Sequence, residues 1–150
     1  MAIRIGPARA QDIKALRVIA ETCGMHSVFS PQNCLIAYED GRPVGFTRVE
    51  FVYQVPYIRP VAVLPTERGK GIGKRLLGIV LSLYPEVRAI SRGGAAEFYR
   101  NLGFQRMSWD DVHSPIRDEC EQCPEKRRCG PLPMVHLQTS NLQQTNESFS

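Results

Sequence analysis

The sequence predicts one α/β domain, and three observations carry that prediction. An apolar β-type run, Val61-Ala62-Val63-Leu64, ends at Pro65, passes a basic glycine-studded turn and enters a helical pattern in which Ile72, Leu76, Leu77 and Val80 share one face. Short strand-type runs alternate with amphipathic stretches along most of the chain. Finally, 43% apolar content in 150 residues suffices for one domain with a sizeable core.

Taken in order, Ile3-Arg4-Ile5 reads as a first strand. Ala10 to Cys23 reads as an amphipathic helix, with Ile13, Leu16, Ala20 and Cys23 facing inward and Gly24 ending it. Residues 25–33 form a loop. Cys34–Tyr38 and Pro43–Val52 read as strands joined at Glu39-Asp40-Gly41-Arg42, where Asp-Gly is a strong hairpin signal. Tyr57–Leu64 is the fourth strand, and Lys70–Leu83 the helix behind the turn, stopped at Pro85. Val87–Ile90, an Ala95–Leu102 helix, and strands at Phe104–Met107 and Met134–Leu137 complete the domain, which spans 1–137. The polar 138–150 segment cannot bury enough apolar area to order itself and reads as a disordered tail.

The turn after the fourth strand has the chemistry of an anion cradle. Backbone N–H groups point into such a turn, the helix start carries partial positive charge, and Arg68, Lys70, Lys74 and Arg75 add full charges. A phosphate or pyrophosphate ligand is expected. It is not a nucleotide-hydrolysing P-loop: Gly73-Lys74 is followed by Arg75 rather than Ser or Thr, and Arg68 stands where the first glycine belongs. Nor is it a dinucleotide fingerprint, since Lys74 replaces the last glycine.

The spacing Arg68-x-x-Gly71-x-Gly73 resembles the pyrophosphate motif of the GCN5-related N-acetyltransferase (GNAT) superfamily. Downstream, Ala95-Ala96-Glu97-Phe98-Tyr99-Arg100-Asn101-Leu102-Gly103-Phe104 is similar to that family's second cofactor segment, A-x-x-F-Y-x-x-x-G-F. The resemblance covers roughly residues 2–108 and 134–137. It implies the GNAT fold: a mixed, mostly antiparallel sheet with a splay between its fourth and fifth strands, flanked by helices. It also implies acetyl-CoA as co-substrate, held by Val61, Ala62, Val63, Arg68, Gly69, Lys70, Gly71, Ile72, Gly73 and Lys74. A small primary amine would then attack the thioester directly, and Tyr99 matches the position that commonly protonates the departing sulfur. A packed core tyrosine is the plainer reading of Tyr99.

Many members carry a glutamate two residues before Val61; here that residue is Arg59. Glu50 is the nearest carboxylate along the sequence, and a solvated surface role suits it better than that of a base. Arg59 suits a substrate carboxylate, and Ile58-Arg59-x-Val61-Ala62-Val63 is similar to the I-R-x-L-A-V of the N-acetylglutamate synthase branch, which acetylates glutamate. Tyr57 and Pro60 depart from that branch's pattern. A non-catalytic acyl-CoA sensor or interaction module on the same fold is the rival reading, kept alive by the missing acid.

Residues 109–133 lie outside the resemblance and contain Cys120-x-x-Cys123 and Cys129 on a Pro- and Gly-punctuated loop. Three thiolates, with His113 or His136 as fourth ligand, suit a structural Cys₃His zinc site. Three reduced thiols or one labile disulfide are the alternative. Five cysteines, an odd number, do not suit a secreted disulfide framework. The net charge of +4 is modest, and His113–Pro133 offers no aromatic for base stacking, so no nucleic-acid partner is expected. No apolar run reaches the length of a membrane span, and the expected location is cytoplasmic. Two copies could pair as a homodimer.

Overall fold

The computed structural model describes residues 2–25, 28 and 30–138; the tail expected over 138–150 lies, but for Gln138, outside them. Two compact units are distinguished, one comprising residues up to Glu50 together with Ile58–Val80, the other Phe51–Tyr57 and the chain from Leu81 onward.

The first unit begins with strand β1 (Ile3–Pro7) and, after a 3₁₀ turn over Ala10–Asp12, helix α1 (Ile13–Thr22). The backbone N–H of Arg9 donates to Asp12 Oδ2 at 2.8 Å, which closes the entry to the helix. Gly24, at φ +70°, and the bond from Met25 N–H to the Ala20 carbonyl end it, as the glycine signal predicts. Strands β2 (Cys34–Glu39) and β3 (Arg42–Val52) pair antiparallel, with Glu39 opposite Arg42 across the predicted Asp40-Gly41 turn. Both turn residues have positive φ, +51° and +81°, the type I′ geometry that suits strand twist. Strand β4 (Val55–Val63) follows β3 in the order β1-β2-β3-β4, and helix α2 (Ile72–Leu83) comes after the glycine turn.

Alternation along β4 explains why this sheet has two covered faces. Ala62 packs with Leu16, Ile19, Ala20 and Phe46, the α1 side. Val61 and Val63 pack with Val44, Ile72 and Leu76, the α2 side. Burying each large apolar side chain contributes about 1.5–3 kcal/mol, so both layers hold β4 in place. Gly45 on β3 permits the close approach: a Cβ there would lie 2.9 Å from the Ala62 carbonyl oxygen.

In the second unit, strand β5 (Glu86–Ser91) runs parallel to its sheet neighbour β4. Strand β7 (Leu132–Leu137) pairs antiparallel with β5 and also with β6 (Gln105–Arg106), so the last strand inserts between its predecessors. Helix α3 (Ala96–Asn101) links β5 to β6 and ends at Gly103, φ +94°. The mixed, mostly antiparallel α/β plan is the one expected.

Three local differences stand out. Helix α2 starts at Ile72 rather than Lys70, because positive φ at Gly69 and Gly71 keeps the turn out of the helix. A two-residue hairpin at Tyr53-Gln54, φ +49° and +70°, joins β3 to β4 without the expected glycine or asparagine. The cysteine segment is not a loop: it forms helices α4 (Ser114–Gln122) and α5 (Lys126–Cys129), with Pro115 in the first turn of α4 and Ile116 buried beneath it.

Candidate functional site

The predicted phosphate cradle lies wholly in the first unit. Strand β4 delivers the chain to a 3₁₀ turn at Pro65–Glu67, then to Arg68-Gly69-Lys70-Gly71, and Ile72 and Gly73 open α2. Gly69 and Gly71 stand at φ +85° and +81°, a region that costs an L side chain about 1–2 kcal/mol. A Cβ added to either would meet nothing within 4 Å, so both glycines face open space. The first turn of α2 adds N–H groups that lack intrahelical acceptors, and Lys74 and Arg75 are exposed there. The arrangement can accept an anionic ligand on backbone N–H groups with cations nearby.

Two predicted cations are otherwise engaged. The Arg68 Nε donates to the Val63 carbonyl at 3.1 Å, an acceptor that Cys23 Sγ shares at 3.4 Å. The turn is thereby tied to the end of β4. Lys70 turns back into the protein, its Nζ 2.6 Å from Glu67 Oε2 and 3.2 Å from Glu39 Oε1. Hydrogen bonds from Lys70 and Arg42 hold the Glu67 carboxyl below the usual carboxylate range, and those same carboxylates raise the Lys70 ammonium above its ordinary value. Lys70 therefore contributes its backbone, rather than a free charge, to the face expected to bind phosphate.

Just before the cradle, β4 is irregular, with a cis peptide between Arg59 and Pro60. The Arg59 carbonyl accepts from Arg48 Nε and the Pro60 carbonyl from Thr47 Oγ1, each at 2.9 Å. Side chains of β3 thus satisfy partly buried carbonyls there. Arg59, the predicted substrate residue, has its Nε 3.1 Å from Glu50 Oε2, and Arg48 reaches the same oxygen at 3.7 Å. The two residues singled out separately in the sequence form one ion pair, and Glu50 is engaged rather than simply solvated.

Tyr99 belongs to the second unit, on α3. It is 6% exposed and meets Phe98 and Phe104 edge-on, with centroids 5.3 and 5.1 Å apart. Burial pushes its hydroxyl up to about 12, so the group stays protonated through neutral pH.

The expected zinc set is not assembled. Among the described residues no three His, Cys, Asp or Glu side chains converge to hold a metal ion. Cys120 lies in the last turn of α4, Cys123 caps it exposed, and Cys129 closes α5; none of the five cysteines forms a disulfide. Of the two candidate fourth ligands, His113 is engaged by a hydrogen bond and His136 stands among aromatic and backbone neighbours. His113 Nδ1 shares a 2.8 Å hydrogen bond with the Tyr57 hydroxyl, which also accepts from Arg88 at 3.1 Å. The His136 ring packs against Phe104 and Gly103, and burial pushes its proton affinity down.

Comparison with known proteins gives consistent findings. Residues 30–106 match the acetyltransferase (GNAT) domain. The uncharacterized protein ML0378 of Mycobacterium leprae is 33% identical in a 107-residue match that covers 67% of this chain and 27% of that protein. Among solved structures, N-acetylglutamate synthase from Neisseria gonorrhoeae, complexed with coenzyme A and N-acetyl-glutamate, is similar with a TM-score of 0.75 at 19% identity, over 91% of this chain and 35% of the synthase. Rv2747 from Mycobacterium tuberculosis, in complex with CoA and NLQ, gives 0.72 at 20% identity, over 90% of this chain and 99% of that one. The PaiA N-acetyltransferase from Thermoplasma acidophilum, in complex with coenzyme A, gives 0.67 at 16%, over 92% and 100%. The chain thus spans well under half the length of the M. leprae relative and of the gonococcal synthase.

Proposed function

The chain belongs to the acetyltransferase (GNAT) family, and we propose that it moves acetyl from acetyl-CoA to a primary amine by direct attack. The observation that carries this reading is the turn from Arg68 to Gly73. Gly69 and Gly71 face open space at positive φ, residues 68–71 are exposed, and a helix N-terminus stands directly behind them. A pyrophosphate suits that arrangement. The ends of Val61–Val63 would receive the pantetheine arm, with backbone N–H groups stabilising the oxyanion that develops on the thioester carbonyl. A neutral amine attacks that carbon, the C–N bond forms, the C–S bond breaks, and the amine's surplus proton passes to water. Tyr99, kept protonated by burial, passes its proton to the departing thiolate, and the tyrosinate so formed recovers a proton from water.

For the acceptor, we propose an acidic amino acid such as glutamate. Arg59 lies two residues before Val61, its side chain is only 23% exposed, and it already holds a carboxylate, that of Glu50. A substrate carboxylate would take the same guanidinium. The N-acetyl-glutamate complex of the gonococcal synthase, a protein of similar fold, supports this choice. The test is a mass-spectrometric screen of the purified protein with acetyl-CoA and a pool of amino acids, polyamines and peptides. Acetylated glutamate or aspartate is expected, with Arg59→Ala raising the acceptor KM more than roughly tenfold. Acetylation confined to other amines overturns the acceptor assignment. Coenzyme A binding without any product favours a non-catalytic acyl-CoA-binding module.

A further inference from the structure

Two buried carboxylates and two cations converge at the foot of the phosphate turn, and no step of the transfer described above uses them. Glu39 and Glu67 have side chains only 7% and 5% exposed. Lys70 reaches both, at 3.2 and 3.4 Å to the two oxygens of Glu39 and 2.6 Å to Glu67. Arg42 Nη2 donates to Glu67 Oε1 at 2.9 Å and lies 3.8 Å from Glu39. Glu39 and Arg42 are the two residues that flank the Asp40-Gly41 turn of the β2–β3 hairpin. Both therefore reach from the hairpin to the segment that wraps the ligand.

We propose that this hairpin is a positioning device: Glu39 and Arg42 grip Lys70 and Glu67 so that backbone N–H groups of the turn, not the Lys70 ammonium, meet the phosphates. The proposal rests on the reading of the turn as the acetyl-CoA site. Three features support it. The contacts to Glu39 and Glu67 use the donor capacity of one ammonium. Two positive and two negative groups cancel, so the cluster offers the ligand no net charge; withdrawing Lys70 would leave both buried carboxylates to Arg42 alone. Gly69 and Gly71, on either side of Lys70, face open space while the Lys70 side chain turns inward. Holding a turn in its binding conformation before the ligand arrives removes an ordering cost from the affinity.

Replacing Glu39 separates this role from direct contact by sign. Under the positioning role, Glu39→Gln weakens the hairpin's hold on Lys70, loosens the turn and raises the Kd for coenzyme A, by roughly tenfold. If Lys70 instead serves the phosphates in competition with Glu39, the same substitution leaves the Kd unchanged or lowers it. Titration calorimetry with coenzyme A on the whole chain reads the sign. The salt dependence of coenzyme A binding is expected to be the same in wild type and Lys70→Met; a flatter dependence in Lys70→Met would mean a direct phosphate contact and overturn the proposal. Should Glu39→Gln fail to fold, Arg42→Gln reads the same sign from the exposed side of the network. Wild type that binds no coenzyme A defeats the acetyl-CoA reading itself, whereas binding with the opposite sign in the variants defeats only the positioning role.

Discussion

At the scale of single residues, acid–base chemistry and backbone angle decide the outcomes. Tyr99→Phe removes a hydroxyl that burial keeps protonated, and it should lower kcat by about 10²-fold while changing the acetyl-CoA KM little. Steady-state kinetics check this; equal turnover would return Tyr99 to the role of a packed aromatic. The depressed Glu67 carboxyl makes a second prediction. A group whose pKa is lower in the folded chain stabilises it above the unfolded value, and that stabilisation is lost as pH falls through the folded value. Wild type should therefore lose stability relative to Glu67→Gln as pH falls through and below the ordinary carboxylate range. Denaturant melts at neutral and acid pH measure this, and a gap independent of pH would contradict it. The glycine turn at Gly69 and Gly71 was legible because motif spacing carries backbone information. Lys70 was not, because its partner Glu39 stands 31 residues upstream and only the hairpin brings them together. The Arg59–Glu50 pair was hidden in the same way by the β3–β4 turn.

At the scale of elements, packing distance and turn geometry set the predictions. Gly45→Val would drive a side chain into the Ala62 carbonyl, 2.9 Å from the new Cβ, and into Val63 and Ile72. The expected cost is about 1–3 kcal/mol in a denaturant melt, with weaker coenzyme A binding, since β4 leads into the cradle. An unchanged melt would mean that β3 and β4 separate freely there. At the β3–β4 hairpin, Gln54→Gly relieves a positive φ of +70° and should stabilise by a few tenths to about 1 kcal/mol. Strands and helices of the first unit were readable because apolar period and turn residues agreed: Asp40-Gly41 for one hairpin, Gly24 for a helix end. Tyr53-Gln54 lacks the residues that announce a type I′ turn, so β4 seemed to begin later than it does. Helix α4 was missed because its one buried residue, Ile116, makes no apolar period, while its cysteines suggested a metal loop.

At the scale of the whole molecule, the order of strands was legible to the last one, but helices α4 and α5 and the insertion of β7 between β5 and β6 were not. That pairing depends on a return across residues outside the recognised motifs. The zinc expectation failed for a related reason: spacing put three thiols near one another along the chain, but two helices distribute them, and among the described residues no three ligating side chains converge. A thiol reagent should accordingly modify exposed Cys123 well before buried Cys34, as peptide mass mapping would read; equal rates would contradict the packing of Cys34. The central claim is that the Arg68–Gly73 turn holds the pyrophosphate of acetyl-CoA. It is tested most directly by titrating coenzyme A into wild type and Gly71→Glu by calorimetry, with circular dichroism confirming that both are folded. The account predicts one site in wild type and affinity weakened by more than roughly tenfold in the variant, where a carboxylate and a disfavoured φ meet the phosphates. Identical isotherms from the two proteins would contradict it.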